Sequence, residues 1–201
     1  MSKAGYQAAN AAANGAAGTP AAHGNSGGSS TLAQRIAQVP PHSAITAADR
    51  SLVITLDFRP TQMLHHDKWF EPAGKAFRTT LETSIAGYSQ ISRRIFIKVD
   101  FPAFDARTQF EQVRIRQKAF MTRIIDLLNT FHKTEKIEVV YRSPGTGWLQ
   151  IRCLAPLYGL TFTDWELSIR EGQDPLQPIG RDTYWDKRLR GLCNGPESEP
   201  Q

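Results

Sequence analysis

The sequence predicts an α/β domain: two layers, about four mainly parallel strands with helices on one face, preceded by a disordered N-terminal tail. Three observations carry this. Four segments alternate apolar and polar residues with period two, as half-buried strands do. Helix-period sequence fills the gaps between them, and strand–helix–strand runs join parallel neighbours through right-handed crossovers. Parallel strands covered on both faces read as continuous apolar runs; these alternate, so one sheet face is left wet or only partly covered. A mixed-sheet α+β sandwich is the alternative arrangement.

The elements follow in order. Residues 4–30 are dominated by Ala, Gly, Asn, Ser and Thr, too poor in apolar surface to offset the entropy of ordering. The tail is therefore assigned to residues 1–45, a single domain to 46–193, and a disordered C-terminal end to 194–201. A domain of that length can bury roughly two thirds of its unfolded-chain surface without staples. The first strand sets Leu52, Ile54, Leu56 and Phe58 against Val53, Thr55, Asp57 and Arg59. A helix follows within residues 67–84, carrying Trp69, Phe70, Phe77, Leu81 and then Ile85; Pro72 and Gly74 place its start at or after Pro72.

The second strand sets Ile95, Ile97, Val99 and Phe101 against Arg94, Phe96, Lys98 and Asp100. The long helix, from about Thr108 to His132, opens on the capping-box spacing of Thr108 and Glu111. Its apolar stripe is Val113, Phe120, Ile124, Leu127, Leu128 and Phe131, with Arg116, Lys118, Arg123 and Asp126 outside it. Arg114 lies near the stripe, and Ile115 away from it. The third strand alternates Ile137, Val139 and Tyr141 with Glu138, Val140 and Arg142. A short helix or irregular turn from Trp148 to about Leu157 ends at Pro156 or Gly159. The fourth strand sets Thr163, Trp165, Leu167 and Ile169 against Asp164, Glu166, Ser168 and Arg170. A terminal helix over residues 182–192 packs through Tyr184, Trp185, Leu189 and Leu192. The strand centres Ile54, Ile97 and Val139 recur at nearly equal intervals, and Leu167 follows at a shorter one. This suits a short piece of a leucine-rich-repeat horseshoe.

The stretch from Leu128 to Trp165 resembles uncharacterised proteins of filamentous fungi, some of them similar to F-box proteins with degenerate leucine-rich repeats. The matching positions are Leu128, Phe131, Lys136, Ile137 and Val139, then Pro156, Leu157, Tyr158, Gly159, Leu160 and Trp165. They are mostly core positions, so the resemblance implies a fold rather than an activity. No F-box precedes the sheet, and an adaptor role in ubiquitin ligation is not carried over.

Net charge is +5, spread along the chain rather than gathered on one face. Cys153 and Cys193, the two cysteines, read as reduced thiols of an intracellular protein, cytoplasmic or nuclear. No signal peptide opens the chain, and no apolar run is long enough to span a bilayer.

Candidate chemistry is sparse. Ser143, Pro144, Gly145, Thr146 and Gly147 form a glycine loop after the third strand, where backbone amides could cradle a phosphate. It lacks the third glycine of a dinucleotide fingerprint and the Lys-Ser/Thr of a P-loop, and Pro-Gly is above all a turn. His65, His66 and Asp67 form a polar cluster, but adjacent histidines in an extended segment point opposite ways and chelate poorly. His132 suits a helix C-terminus. Asp100 and Asp105 follow the second strand, where parallel sheets place active sites, yet read as structural. Residues 114–123 present a basic helix face without aromatic residues among the charges. Trp148, Tyr158, Trp165, Tyr184 and Trp185 concentrate in the last third, as core or as an aromatic groove for a partner.

No catalytic, cofactor-binding or metal-ligating residue is assigned, and no cofactor. The expected function is a non-enzymatic protein-interaction or scaffold domain with an unidentified protein partner. The alternatives are a nucleotide- or phosphate-ligand-binding α/β enzyme using the loop after the third strand with Asp100 and Asp105, and a weak nucleic-acid binder through the basic helix face.

Overall fold

The computed structural model describes residues 31–102, 110–144 and 151–194. Within them the elements run α1 (Leu32–Ala37), β1 (Ile45–Ala48), β2 (Ser51–Asp57), a 3-10 turn (His66–Lys68), α2 (Pro72–Gly87), β3 (Arg94–Asp100), α3 (Phe110–Asn129), β4 (Lys136–Ser143), a 3-10 helix (Arg152–Gly159), β5 (Trp165–Glu171), β6 (Gln177–Pro178) and α4 (Tyr184–Asn194). The protein is an α/β fold built on one six-stranded sheet in the order β1-β2-β3-β4-β5-β6. The four central strands pair in parallel, and the two outer strands are antiparallel to their neighbours.

Each central strand buries alternate residues. Leu52, Ile54 and Leu56 of β2 pair in register with Ile95, Ile97 and Val99 of β3, and these with Ile137, Val139 and Tyr141 of β4. Leu167 and Ile169 of β5 extend the same rows. Parallel strands laid down in chain order, with every crossover of one hand, place their helices on one side. On that side lie Leu81 and Ile85 of α2, and Phe120, Met121, Ile124, Ile125 and Leu128 of α3, all in one core with the sheet. The α3 stripe follows the helical period: Phe120, Ile124, Leu128 and the following Phe131 are buried, Val113 and Leu127 half-buried, and Ile115 exposed.

The structure corrects the sequence reading at several points. The sheet has two further strands, β1 and β6, both short and antiparallel. Ordered packing also starts before residue 46. α1 carries a capping box in which the Thr31 N–H donates to Gln34 Oε1 at 2.8 Å and the Gln34 N–H to Thr31 Oγ1 at 3.3 Å. Val39 and Ala44 belong to the core. Val39 lies so close to α2 that a Cβ on Gly87 would come within 2.8 Å of its Cγ1, and Ser84 donates to the Pro40 carbonyl at 2.8 Å. Of the two ends expected for the segment after β4, the 3-10 helix stops at Gly159, and Pro156 lies inside it. Tyr184 is exposed rather than part of the α4 packing stripe, where Leu189 is fully buried and Trp185 and Leu192 half-buried.

The low-complexity segment 1–30, the residues from 195 onward, Asp105, the Thr108 cap and Trp148 lie outside the described residues. So do Gly145, Thr146 and Gly147 of the glycine loop.

The α2 start follows from local chemistry. Pro72 takes the first turn, where its missing N–H costs nothing. Gly74 is required by contact: a Cβ there would lie 2.0 Å from the Lys68 carbonyl oxygen, which belongs to the 3-10 turn packed on the helix start.

Two sets of variants test this packing. Ile97→Ala and Ile124→Ala should each lose about 2–5 kcal/mol and Val139→Ala somewhat less, as shifts of the urea midpoint. Unchanged midpoints in all three would contradict the core. Gly74→Ala should destabilise by about 1–3 kcal/mol through overpacking. Gly191→Ala, on α4 with open space around it, should be neutral or stabilising by up to about 1 kcal/mol.

Candidate functional site

The uncovered sheet face carries polar rows. Asp57, Asp100, Arg142 and Arg170 stand side by side across the carboxyl ends of the four parallel strands. Asp100 is buried and paired with Arg142, whose Nη2 donates to Oδ2 at 2.7 Å while Nε lies 2.7 Å from Oδ1. Asp57 is forked by Arg59, which donates from Nε at 2.9 Å and from Nη2 at 2.6 Å. Burial acts to raise the Asp57 carboxyl, but the bonds and charge of Arg59 outweigh it and hold the group below the usual carboxylate range. Further along the face, Lys136 lies between Glu138 at 3.4 Å and Glu166 at 3.3 Å. The sequence singled out Asp100 as a possible acid or base; its oxygens are committed to a guanidinium.

The second feature is a cleft of about 970 Å³ at the β5 edge of the sheet. One wall is the end of the 3-10 helix and the start of β5, with Tyr158, Phe162 and Trp165; the other is the chain from β6 into α4, with Arg181, Asp186 and Arg190. Tyr158 meets Trp165 edge to face at 5.2 Å between ring centres. Asp186 owes its place to the α4 cap. The Asp186 N–H donates to Thr183 Oγ1 at 3.3 Å, and Asp186 Oδ2 accepts from the Asp182 N–H at 3.0 Å. Asp182 makes that turn with φ 65°, a left-handed conformation that Asp tolerates. Arg190, one turn along, pairs with Asp186 at 3.1 Å, and the Tyr158 hydroxyl bonds to it as well.

Burial acts to raise the Asp186 carboxyl, but the Asp182 amide, Arg190 and Tyr158 together hold it below its ordinary value. Burial first, and then the Asp186 carboxylate, push the Tyr158 phenol far above its usual range, so it remains the donor. The Thr183–Asp186 spacing is a capping signal written in the sequence, and it sets the helix start just past the Asp182 that residue pattern alone suggests.

Other expected residues scatter. Trp165 and Tyr158 come together at the cleft, but Tyr184 points outward, against Trp185 at 5.1 Å. His132 is exposed and past the end of α3, whose last carbonyls are capped instead by Thr130 Oγ1 on the Leu127 oxygen at 2.6 Å and by the Phe131 N–H on the Leu128 oxygen at 2.9 Å. The basic face of α3 is not without aromatics: Arg116 lies 4.4 Å over Phe70, and Arg123 pairs with Glu82. Cys153 and Cys193 are both free thiols, and burial pushes the Cys153 thiol far up, away from the reactive thiolate. His42, not singled out by the sequence, bridges the domain: Nδ1 accepts from the Ala44 N–H at 3.1 Å, which leaves Nε2 to donate to the Phe77 carbonyl at 3.1 Å.

The His65–His66–Asp67 cluster departs most from expectation. The two histidines do not point opposite ways. The chain turns into a 3-10 helix at His65, and the rings lie 4.0 Å apart. One ligand atom from each of the three residues falls within 4.8 Å of the others, the one such grouping of His, Cys, Asp and Glu among the described residues.

Among the described residues no helix is long and apolar enough to cross a membrane. Comparison with family models, with curated proteins and with solved structures finds no match for this chain.

The Asp186 geometry predicts a pH effect. Its folded-state pKa is depressed below an unfolded value near ~3.9, so its contribution is fully present above that pH and lost as pH falls through the folded value. Asp186→Asn should lower the urea midpoint at neutral pH and narrow its drop on going to about pH 3. An acid limb identical to the parent's would rule out the ionised pairing.

Proposed function

We propose that this chain is a non-enzymatic protein-interaction domain whose partner docks in the cleft beside β5. The observation that carries the reading is the cleft's make-up. It joins a large concavity to Trp165, Tyr158, Arg181 and Arg190, the residue types on which interface energy concentrates. Carboxylates of the same cleft supply the opposite charge, which suits a polypeptide segment of mixed sign. The commitment of the described carboxylates agrees with it: Asp100 and Asp186 are each tied to an arginine. A place inside the cell follows from the same reading, with two free thiols and no bridge between them.

A second reading rests on the arginines at the carboxyl ends of the strands, where α/β sheets take ligands. Arg59, Arg142 and Arg170 gather there, and Arg170 Nε is buried with no hydrogen-bond partner among the described residues. A phosphate-bearing ligand would suit it. The basic face of α3 supports nucleic-acid binding less, since Arg123 is paired and Arg116 is stacked.

Placing a photo-crosslinking residue at Phe162 in the full chain, and at the exposed Thr122 on α3 as a control, separates these readings. The docking reading expects a discrete protein adduct from position 162 only. Arg181→Ala should then weaken the purified partner's binding by about 1–2 kcal/mol, roughly tenfold. Equal adducts from both positions would refute the cleft. Stabilisation of the chain by inorganic phosphate or ATP, lost in Arg170→Gln, would favour the second reading.

A further inference from the structure

The cluster at the 3-10 turn lies apart from the cleft, and its chemistry is of another kind. We propose that His65, His66 and Asp67 form a zinc-binding site, with a solvent molecule completing a tetrahedral set.

Three observations support the assignment. The first is spacing. His65 Nδ1 lies 3.3 Å from Asp67 Oδ2, and His66 Nε2 lies 3.1 Å from Asp67 Oδ1. Ligands about 2.0–2.1 Å from a tetrahedral zinc stand about 3.3 Å apart; each histidine nitrogen lies about that far from one Asp67 oxygen, Oδ2 for His65 and Oδ1 for His66, and one ligand atom of each residue falls within 4.8 Å of the others. The second is a conflicting demand on one atom. His65 Nδ1 is placed to accept the Asp67 N–H at 3.4 Å, which needs its lone pair. The same nitrogen faces the Asp67 carboxylate, which needs a proton or another cation between them. A neutral ring cannot serve both; a metal ion between Nδ1 and the carboxylate satisfies these two acceptors at the cost of the long 3.4 Å bond from the Asp67 N–H.

The third observation is support from the scaffold. Leu64, just before the cluster, is 1% exposed in the core, and the Lys68 carbonyl just after it seats against Gly74. The turn is held at both ends, so the donors are presented rather than assembled on binding. Lys68, the adjacent cation, is turned to Glu71 at 3.0 Å. Asp67 is largely exposed, which gives the ion entry and leaves the fourth position to solvent. A nitrogen–nitrogen–oxygen donor set suits zinc and other late first-row divalent ions rather than magnesium or calcium.

The test uses the full chain with Zn²⁺ by calorimetry and Co²⁺ as a spectroscopic stand-in. The expected result is one equivalent bound, visible Co²⁺ absorption of tetrahedral intensity, and a Zn²⁺-dependent rise in Tm. His66→Gln and Asp67→Asn, both on the outer side of the cluster, should each weaken binding at least about tenfold and abolish the Tm rise. His65→Gln should do the same, but its burial makes folding the first thing to check, so the outer pair decides. Absence of saturable binding overturns the proposal. Binding unchanged in both outer variants also overturns it, placing the ion elsewhere.

Discussion

The structure depends on one constraint: four parallel strands paired in chain order, with every crossover returning on the same side. From it follow the buried rows, such as the one from Ile54 through Ile97 and Val139 to Leu167, and the single layer formed by α2, α3 and the Arg152–Gly159 segment. It also follows that half of each strand's residues never receive a cover. The opposite face must satisfy its own polar groups, and it does so laterally. Asp100 is paired with Arg142 on the neighbouring strand, and Lys136 bridges to Glu166 on the next. Cross-strand pairing is cheap here because register already brings the partners together.

The same constraint decides what was legible in the sequence. A strand that buries one face writes that face into every second residue, and the four central strands show it by alternation alone, with the correct side facing in. The long helix is equally plain, because an apolar stripe sustained over five turns is the imprint of a helix lying along a core. β1 and β6 leave no such trace. Half of Ile-Thr-Ala-Ala is alanine, a poor strand former, and its hairpin turns at Asp49, with φ 54°, where a glycine would have advertised the bend. β6 is two residues, one of them proline, and exists because β5 offers a free edge. α1 is hidden by the composition of the tail that precedes it, although its Thr31–Gln34 box is there to be read.

The sites are less legible, for a different reason. Adjacent residues in a bare sequence carry only the geometry of an extended chain, and His65 and His66 are not in one. The turn that brings their rings together depends on Leu64 entering the core and on the missing side chain of Gly74, two contacts that belong to tertiary structure. The cleft likewise joins Tyr158 and Trp165 to Asp186 and Arg190 from separate elements, so no local window contains it. Thr183 and Asp186 could have placed the α4 cap, but not the phenol and guanidinium that the carboxylate goes on to hold.

The open face and the cleft therefore have different standing. On the face, ion pairing between strands uses up much of the directional bonding a ligand would need, and a partner there would have to break contacts such as Arg142–Asp100 before making its own. At the β5 edge the polar groups that are paired, Asp186 with Arg190 and Tyr158, form the floor. Phe162 and Trp165 remain half-buried, and Arg181 is exposed, held by the Thr163 carbonyl at 3.1 Å. A rigid polar base beneath incompletely covered aromatics is the arrangement in which burial by a partner gains most and disrupts least. The sheet's edge, rather than its face, is where incompletely covered aromatics lie beside polar groups that are already paired.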